Sequence, residues 1–256
     1  MEGVTQLHDI VYMVCRGSSA IIKFDAVTHR RLADITVKDM SEPRDIAACQ
    51  QTAQLYVADR PITAEYVWRV SSDGEDVKRL LPKSPSDTIS PTALSVTSSR
   101  LLVTSQYTSQ LTQFDAVGNE LRRVDLPDDM KYLQHAVESP TGTFIVSRSD
   151  TQQKQFQVSE VNTGGQVLRQ FSGSRLVPLG LTPHVAVDSQ GNIFVADCDR
   201  RNILLLNSEL ALRRVIIDER QLNYESPWRL CYAEQSGQLL VGFDGRDVAV
   251  FDVLRR

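Results

Sequence analysis

The fold is decided by one stretch of the chain, Thr182-Pro183-His184-Val185-Ala186-Val187-Asp188-Ser189-Gln190-Gly191-Asn192-Ile193-Phe194-Val195-Ala196-Asp197, which is followed after six residues by Leu204-Leu205-Leu206-Asn207. It contains three short apolar runs, and a Ser-Gln-Gly-Asn turn separates the first two. Runs of this length between turn residues are typical of β-strands in tight succession. The stretch therefore predicts three strands of one small sheet, and the rest of the chain repeats this unit.

Five other segments match the second of these apolar runs. The central residue of the run is Val195, and its equivalents are Met13, Val57, Val103, Val146 and Val241. The gaps between successive markers are 44, 46, 43, 49 and 46 residues. A period in the forties built from short β-type runs is typical of a β-propeller, whose four-stranded blades stack around an axis. The sequence thus predicts an all-β fold, a six-bladed β-propeller of four-stranded antiparallel blades.

The repeats fill the whole chain as a single domain. The predicted blades cover roughly residues 1–40, 41–90, 91–130, 131–180, 181–225 and 226–256. Only 15 residues follow Val241, so we expect blade six to lack most of its fourth strand. Asp25, Asp115 and Asp252 each close a third strand, where an aspartate can accept hydrogen bonds from the turn that follows. We assign these three residues a structural role.

Composition excludes several classes of protein. The 256 residues are 41% hydrophobic and 23% charged, which is typical of a globular domain. A formal charge of −4 gives no net attraction for DNA. No apolar stretch is long enough to span a membrane, the amino end does not resemble a signal peptide, and the four cysteines show no paired spacing. These features favour a cytoplasmic protein without a disulfide framework.

The segment Pro183 to Asp197 resembles an NHL repeat, and Leu55-Tyr56-Val57-Ala58-Asp59 resembles the same hairpin. The resemblance implies a six-bladed propeller. It also implies a choice of functions, because NHL propellers include RNA-binding domains of tripartite-motif proteins, protein-interaction modules and a lyase that acts on amidated peptides. One departure is that Asp59 and Asp197 have no aspartate counterpart in the other four repeats. Since a fold does not choose its function, the sites must be weighed separately.

The loops between second and third strands and the connectors between blades share one end of a propeller, which we call the loop face. Aromatic and arginine side chains there would provide contact area and directional hydrogen-bond donors for a protein or peptide partner. The competing interpretation is that these loops carry polar residues only because they are exposed to water, and that they bind no partner. The candidate ligand-binding residues on this face are Arg16, Arg60, Tyr66, Tyr107, Arg148, Arg200, Arg201, Trp228 and Arg246.

RNA binding is the first alternative. Affinity for phosphate comes from positive charge that acids do not compensate. The loops between second and third strands carry seven cationic and seven acidic residues, so their charge is balanced. Arg200 and Arg201 lie beside Asp197 and Asp199, which favours a local cluster of ion pairs. Charge balance therefore disfavours RNA as the partner.

A metal-dependent hydrolase or lyase with a site in the central channel is the second alternative. His135 and His184 fall in first strands of consecutive blades, so their imidazoles could share a metal near the axis. However, matching Leu133-Gln134-His135 to Pro183-His184-Val185 sets the two side chains on opposite sides of their strands. Of the acidic residues, only Glu2 and Asp45 are placed near the channel mouth. We therefore predict no metal, no cofactor and no catalytic residues, and favour a non-catalytic scaffold that binds a partner through the loop face.

Overall fold

A computed structural model describes residues 1–61, 64–82, 90–105, 108–150, 155–172, 184–245 and 247–253, without the side chains of Ser149, Asp150 and Gln155. These residues form 23 β-strands. Blades one to three contain β1 (Gly3–Leu7), β2 (Ile10–Val14), β3 (Ala20–Asp25), β4 (Ile35–Thr36), β5 (Pro43–Cys49), β6 (Gln54–Asp59), β7 (Tyr66–Ser71), β8 (Val77–Leu81), β9 (Pro91–Thr97), β10 (Arg100–Ser105), β11 (Gln110–Phe114) and β12 (Glu120–Asp125). Blades four to six contain β13 (Leu133–Glu138), β14 (Phe144–Asp150), β15 (Gln155–Val161), β16 (Val167–Phe171), β17 (His184–Val187), β18 (Ile193–Asp197), β19 (Asn202–Leu206), β20 (Leu212–Ile217), β21 (Pro227–Ala233), β22 (Gln238–Phe243) and β23 (Val248–Asp252).

Consecutive strands pair antiparallel to form six small sheets, five with four strands and the last with three. The predicted six-bladed propeller with an incomplete last blade is therefore confirmed. Within the described ranges the structure contains no helix, and hence none that is long and apolar enough to cross a membrane.

The sequence markers occupy equivalent positions in the six sheets. Each marker lies on the second strand of its blade and pairs with one residue of the first strand and one of the third. Val195, for example, pairs with Val185 and Leu204, and Met13 pairs with Val4 and Ile22. The predicted repeat register is thus correct on the second strands.

The core is divided among the contacts between neighbouring blades. Six apolar clusters separate the blades, one for each pair of neighbours around the ring. The cluster between blades one and two is built on fully buried residues such as Tyr12, Leu55 and Val70. Each sheet buries both faces in this way, which explains why the strands are apolar on both sides rather than strictly alternating. The first strands of successive blades contact one another around the axis, and β1 closes the ring against β21.

Aspartate and asparagine side chains cap the turns after several third strands. Asp25 Oδ1 accepts hydrogen bonds from the amides of Val27 (3.1 Å) and Thr28 (2.6 Å). Asp115 Oδ1 does the same for Val117 (2.9 Å) and Asn119 (2.8 Å). The structural role that the sequence assigns to Asp25 and Asp115 is confirmed. Asp252 accepts a hydrogen bond from Gln238 Nε2 at 3.2 Å, and the residues after Val253, which its predicted cap involves, lie outside the described part of the chain.

The antiparallel order gives the propeller two distinct ends. Each first strand runs from the loop face to the opposite end, where turns join first to second strands and third to fourth strands. We call this opposite end the turn face. The two faces matter because the central channel differs at its two ends.

Candidate functional site: the floor of the central channel

The central channel holds a cavity of about 450 Å³ lined by the first strands of all six blades. Its lining extends to the turn face, where His8, Gln50, Glu234 and Gln235 are exposed around it. Val96 and Val137 line the cavity and make part of its wall apolar. The cavity is therefore open to solvent at the turn face.

At the other end of the cavity, one residue from each first strand occupies an equivalent position. These residues pair, respectively, with Val14, Ala58, Thr104, Ser147, Ala196 and Gly242 of the second strands. They are Gly3, Asp45, Ala93, His135, His184 and Arg229. Three of them, Asp45, His135 and His184, line the cavity and are buried. We call these three residues the channel floor.

The two histidines of the channel floor stack on each other. Their ring centroids are 3.7 Å apart and their planes are inclined by 20°. Both imidazoles therefore lie on the channel side of their strands. The alignment of Leu133-Gln134-His135 with Pro183-His184-Val185, which predicts opposite sides, is wrong. A bulge in β13 between Leu133 and His135 explains the error, because the extra residue, Gln134, shifts the strand by one position.

Backbone groups of neighbouring blades fix the form of each imidazole. His135 Nε2 lies 3.3 Å from the carbonyl oxygen of Leu94, and since a carbonyl only accepts, Nε2 must carry the hydrogen. The amide of Leu230 donates to His184 Nδ1 at 3.2 Å, so in this ring the hydrogen lies on Nε2. His135 Nδ1 is thus left as a free acceptor and His184 Nε2–H as a free donor. Neither atom has a hydrogen-bond partner within the described part of the chain.

Asp45 is held by two backbone amides. Its Oδ1 accepts from its neighbour Ile46 at 2.9 Å and its Oδ2 accepts from Leu94 at 2.8 Å. Leu94 therefore holds both Asp45 and His135, one through its amide and the other through its carbonyl. These bonds orient the carboxylate and leave further lone pairs on its oxygens.

Burial controls the charge state of the channel floor. Burial lowers the pKa of His135 to about 4, although the carbonyl groups of Leu94 and Val185 oppose the fall; the Val185 carbonyl does so without a hydrogen bond to Nδ1 of acceptable geometry. Burial also brings the pKa of His184 well below its ordinary value, and His135 and Arg229 add to this effect. Both imidazoles are therefore neutral at pH 7. Burial also raises the pKa of Asp45 to about 6, although Arg229 and the two backbone amides oppose the rise. A neutral imidazole with a free lone pair can accept a hydrogen bond or bind a metal.

An arginine bridge lies on the loop-face side of the channel floor. Arg229 donates through Nε to the carbonyl oxygen of Glu2 and through Nη2 to that of Arg44, the latter at 3.4 Å. Its Nη2 also lies 3.9 Å from Glu2 Oε2. The guanidinium thus connects β21 with β5 and with Glu2, the residue directly before β1, on the loop-face side of the floor. Ligand access is consequently easier from the turn face than from the loop face.

The structure distributes the candidate residues of the loop face over different environments. Arg16 is exposed and its Nε lies 3.0 Å from Glu42 Oε2, while Arg60 Nε lies 2.8 Å from Glu65 Oε1. Arg200 lies 3.5 Å from the buried carboxylate of Asp197. Arg201 is exposed, with a backbone φ of 52°. Several of these arginines therefore already form local ion pairs.

Two other candidates, Arg148 and Tyr66, lie within strands rather than loops. Arg148 is on β14, and its buried side chain donates to the carbonyl oxygen of Asp129 and to Gln157 Oε1, so its placement on the exposed loop face is wrong. The strand continues past Arg148 to Asp150. Tyr66 begins β7 and stacks under Arg79, whose guanidinium carbon is 4.3 Å from the ring centroid.

The remaining candidates are Trp228, Tyr107 and Arg246. Trp228 is partly buried on β21, and the guanidinium carbon of Arg229 lies 5.8 Å from its ring centroid. Tyr107 and Arg246 lie outside the described residues. The described candidates are thus dispersed around the propeller, whereas the channel floor is one contiguous cluster.

A pattern in the sequence could have identified Asp45 of the channel floor, but not its two histidines. In blades two, three and six a proline begins the first strand, and the residue two positions later, Asp45, Ala93 or Arg229, occupies the equivalent position. In blade five Pro183 comes directly before His184. Aligning the prolines therefore misplaces His184 by one residue.

Comparisons with known proteins support the architecture. No family model and no curated protein matches the chain. Similar solved structures include a catalytically inactive virginiamycin B lyase from Staphylococcus aureus with quinupristin (12% identity, TM-score 0.67, 96% of this chain and 78% of that chain). A nidogen–laminin complex is 12% identical with a TM-score of 0.68, and the match covers 90% of this chain and 83% of that chain. The WD40 β-propeller domain of Doa1 is 14% identical with a TM-score of 0.63, and the match covers 98% of this chain and 92% of that chain. At these identities the similarity shows the fold alone, and the NHL family specifically is not shown.

Proposed function

We propose that this propeller is a non-catalytic binding module that admits a small polar molecule, or the end of an extended chain, into its central channel from the turn face. The observation that carries the proposal is the open cavity above two buried imidazole nitrogens that have no hydrogen-bond partner among the residues the structure describes. Buried polar groups in proteins are rarely left unpaired, and unpaired groups at the base of a cavity are suited to pair with a ligand.

The size and lining of the cavity agree with a ligand site. Its volume of about 450 Å³ lies within the range of known ligand pockets, roughly 300–1,000 Å³. Such pockets combine apolar walls with a few convergent polar groups. Here Val96 and Val137 contribute wall, and the channel floor supplies the polar groups. Because backbone bonds from neighbouring blades fix the floor, little ordering is required when a ligand binds.

The hydrogen-bonding pattern of the floor favours a group that both donates and accepts. His184 Nε2–H offers a donor and His135 Nδ1 an acceptor. A primary carboxamide or a hydroxyl group can satisfy both atoms, whereas a carboxylate can only accept. Recognition of a protein by the loop face, as the sequence suggests, stays a prediction, with less support because Arg16, Arg60 and Arg200 already pair with acids.

Titration of chelator-treated, ¹⁵N-labelled protein with propionamide tests this proposal. We expect amide shifts at channel residues such as Ser95, Val137 and Tyr232, and weaker effects with propionate. His184→Asn places an oxygen where Leu230 donates and removes the free donor, so it should weaken propionamide binding by up to about tenfold, roughly the worth of one neutral hydrogen bond.

Arg60→Ala is the matched control, because it changes an arginine of the loop face and should leave propionamide binding unchanged. Shifts that map to the loop face, or the absence of channel shifts with every amide and alcohol probe, would overturn the proposal.

A further inference from the structure

Asp45, His135 and His184 bring metal-ligating atoms together at the base of an open cavity. One such atom from each residue lies within 4.8 Å of the others, and all three residues are buried. The residues come from blades two, four and five, so the ring of first strands assembles the cluster from distant parts of the sequence. One nitrogen of each histidine has no hydrogen-bond partner within the described ranges, which is a second observation in favour of a bound ion.

We infer that Asp45, His135 and His184 form a binding site for zinc or a similar divalent transition metal, with an open coordination position directed into the channel. Two imidazoles and one carboxylate are a donor set that zinc accepts, and three protein ligands leave one position of a tetrahedron vacant. Calcium and magnesium prefer oxygen ligands only, so this donor set disfavours both. The inference shares its location with the proposed ligand site but needs no organic ligand.

The three side chains must rearrange before they can bind one ion. Bonds of about 2.0–2.1 Å in a tetrahedron place neighbouring ligand atoms roughly 3.3 Å apart. One ligand atom of each residue already lies within 4.8 Å of the others, so the distances to be closed are short. The stacked imidazoles, however, direct their in-plane lone pairs within nearly parallel planes, so one ring must turn out of the stack into the cavity beside it.

The two histidines are prepared for a metal to different degrees. His135 donates its Nε2 hydrogen to the carbonyl of Leu94, which leaves the Nδ1 lone pair available. Such a hydrogen bond from the non-ligating nitrogen is the usual support of a metal-bound imidazole. His184 Nε2 must transfer its hydrogen to Nδ1 before it can ligate. The Nδ1–H donor then faces the Leu230 amide donor, so the hydrogen bond is lost and the ring must turn away from Leu230. This cost is small beside the free energy of binding a metal through three ligands.

The local charge tolerates a divalent ion. Arg229 adds a positive charge near the site, but Asp45 and Glu2 supply two negative charges in the same region. Glu2 lies 3.9 Å from the Arg229 guanidinium and partly offsets it. The carboxylate of Asp45 already accepts two amide hydrogens, and its remaining lone pairs can face the metal.

Calorimetric titration of chelator-treated protein with Zn²⁺ alone tests the inference. We expect one zinc per folded chain and no comparable heat with Ca²⁺ or Mg²⁺. His135→Gln keeps a donor toward Leu94 and His184→Asn keeps an acceptor for Leu230, while each removes the proposed ligand atom. Each change should weaken zinc binding by more than about 100-fold, because even outer-sphere partners of a metal are worth 10–100-fold.

His29→Asn is the control, because His29 is an exposed histidine with a φ of 57°, a conformation that asparagine tolerates. This variant should bind zinc like the unmodified protein. Circular dichroism and urea unfolding confirm that each variant is folded. Zinc affinity that is unchanged in both His135→Gln and His184→Asn, or no zinc binding by the folded protein, overturns the inference. Propionamide binding without zinc binding would refute the metal site alone, and zinc binding without amide binding would refute the organic ligand alone.

Discussion

Two groups of buried polar side chains, Asp59 near the loop face and the histidines of the channel floor, differ in whether their hydrogen bonds are satisfied. Asp59 Oδ1 accepts from the amides of Ser41 and Glu42, and Oδ2 accepts from Trp68 Nε1. His135 and His184 each retain one nitrogen without a partner among the described residues. A buried polar group with all its partners holds the fold together, whereas one that lacks a partner and also lines an open cavity, as His135 and His184 do, is available to a ligand.

The same contrast separates the channel floor from two arginines of the loop face. Arginine and tyrosine on a loop suggest a recognition surface, yet Arg16 and Arg60 already contact acids. Ion pairs that solvent can reach, such as Arg16–Glu42, contribute little to stability. The comparison teaches that burial combined with an unmet hydrogen bond is better evidence for a binding site than residue type and exposure.

Asp59→Ala should produce the largest loss of stability. The substitution removes the acceptor of three donors, the buried indole N–H of Trp68 and the partly buried amides of Ser41 and Glu42. We expect the free energy of unfolding to fall by about 2–4 kcal/mol, since a buried donor without a partner costs about 1–3 kcal/mol and a partly buried one costs less. Urea denaturation measures the change, with Asp244→Ala as a control at an exposed aspartate. A loss no larger than that of the control would contradict the structural role of Asp59.

Arg16→Ala should have the smallest effect. Its side chain is 63% exposed and its partner Glu42 is 31% exposed, so solvent screens the pair. We expect a change of about 0–1 kcal/mol in unfolding free energy, and no change in the binding of zinc or propionamide. The same denaturation and titration experiments check both expectations. If Arg16→Ala abolished binding of either probe, the distinction between the loop face and the channel floor would be wrong.

The repeat pattern predicted the fold because each blade encodes its own strands. The markers Met13 and Val195, for example, lie in the same register although they are far apart in sequence. The channel floor could not be predicted in the same way. A bulge at Gln134 and the different position of Pro183 change which side chains reach the axis, and a shift of one residue reverses the side of a strand.

Arg148 illustrates a second limit of the sequence. Its charge suggests a loop, but β14 continues through it to Asp150, and the side chain is buried by contacts with Asp129 and Gln157. Neither contact follows from local pattern, because one partner lies on the preceding connector and the other on the next strand. Boundaries between strands and loops are therefore the part of the fold that local sequence specifies least well.

The most direct test of the account is a long-range ¹H–¹⁵N spectrum of the imidazoles in chelator-treated protein at pH 7. Only four histidines are present, so His135→Gln and His184→Asn assign the two signals of the channel floor. The account predicts that both are neutral with the hydrogen fixed on Nε2, and that Zn²⁺ shifts both signals together. The account would be contradicted if either imidazole exchanged between its two tautomers. It would also be contradicted if neither signal shifted when Zn²⁺ or propionamide was added.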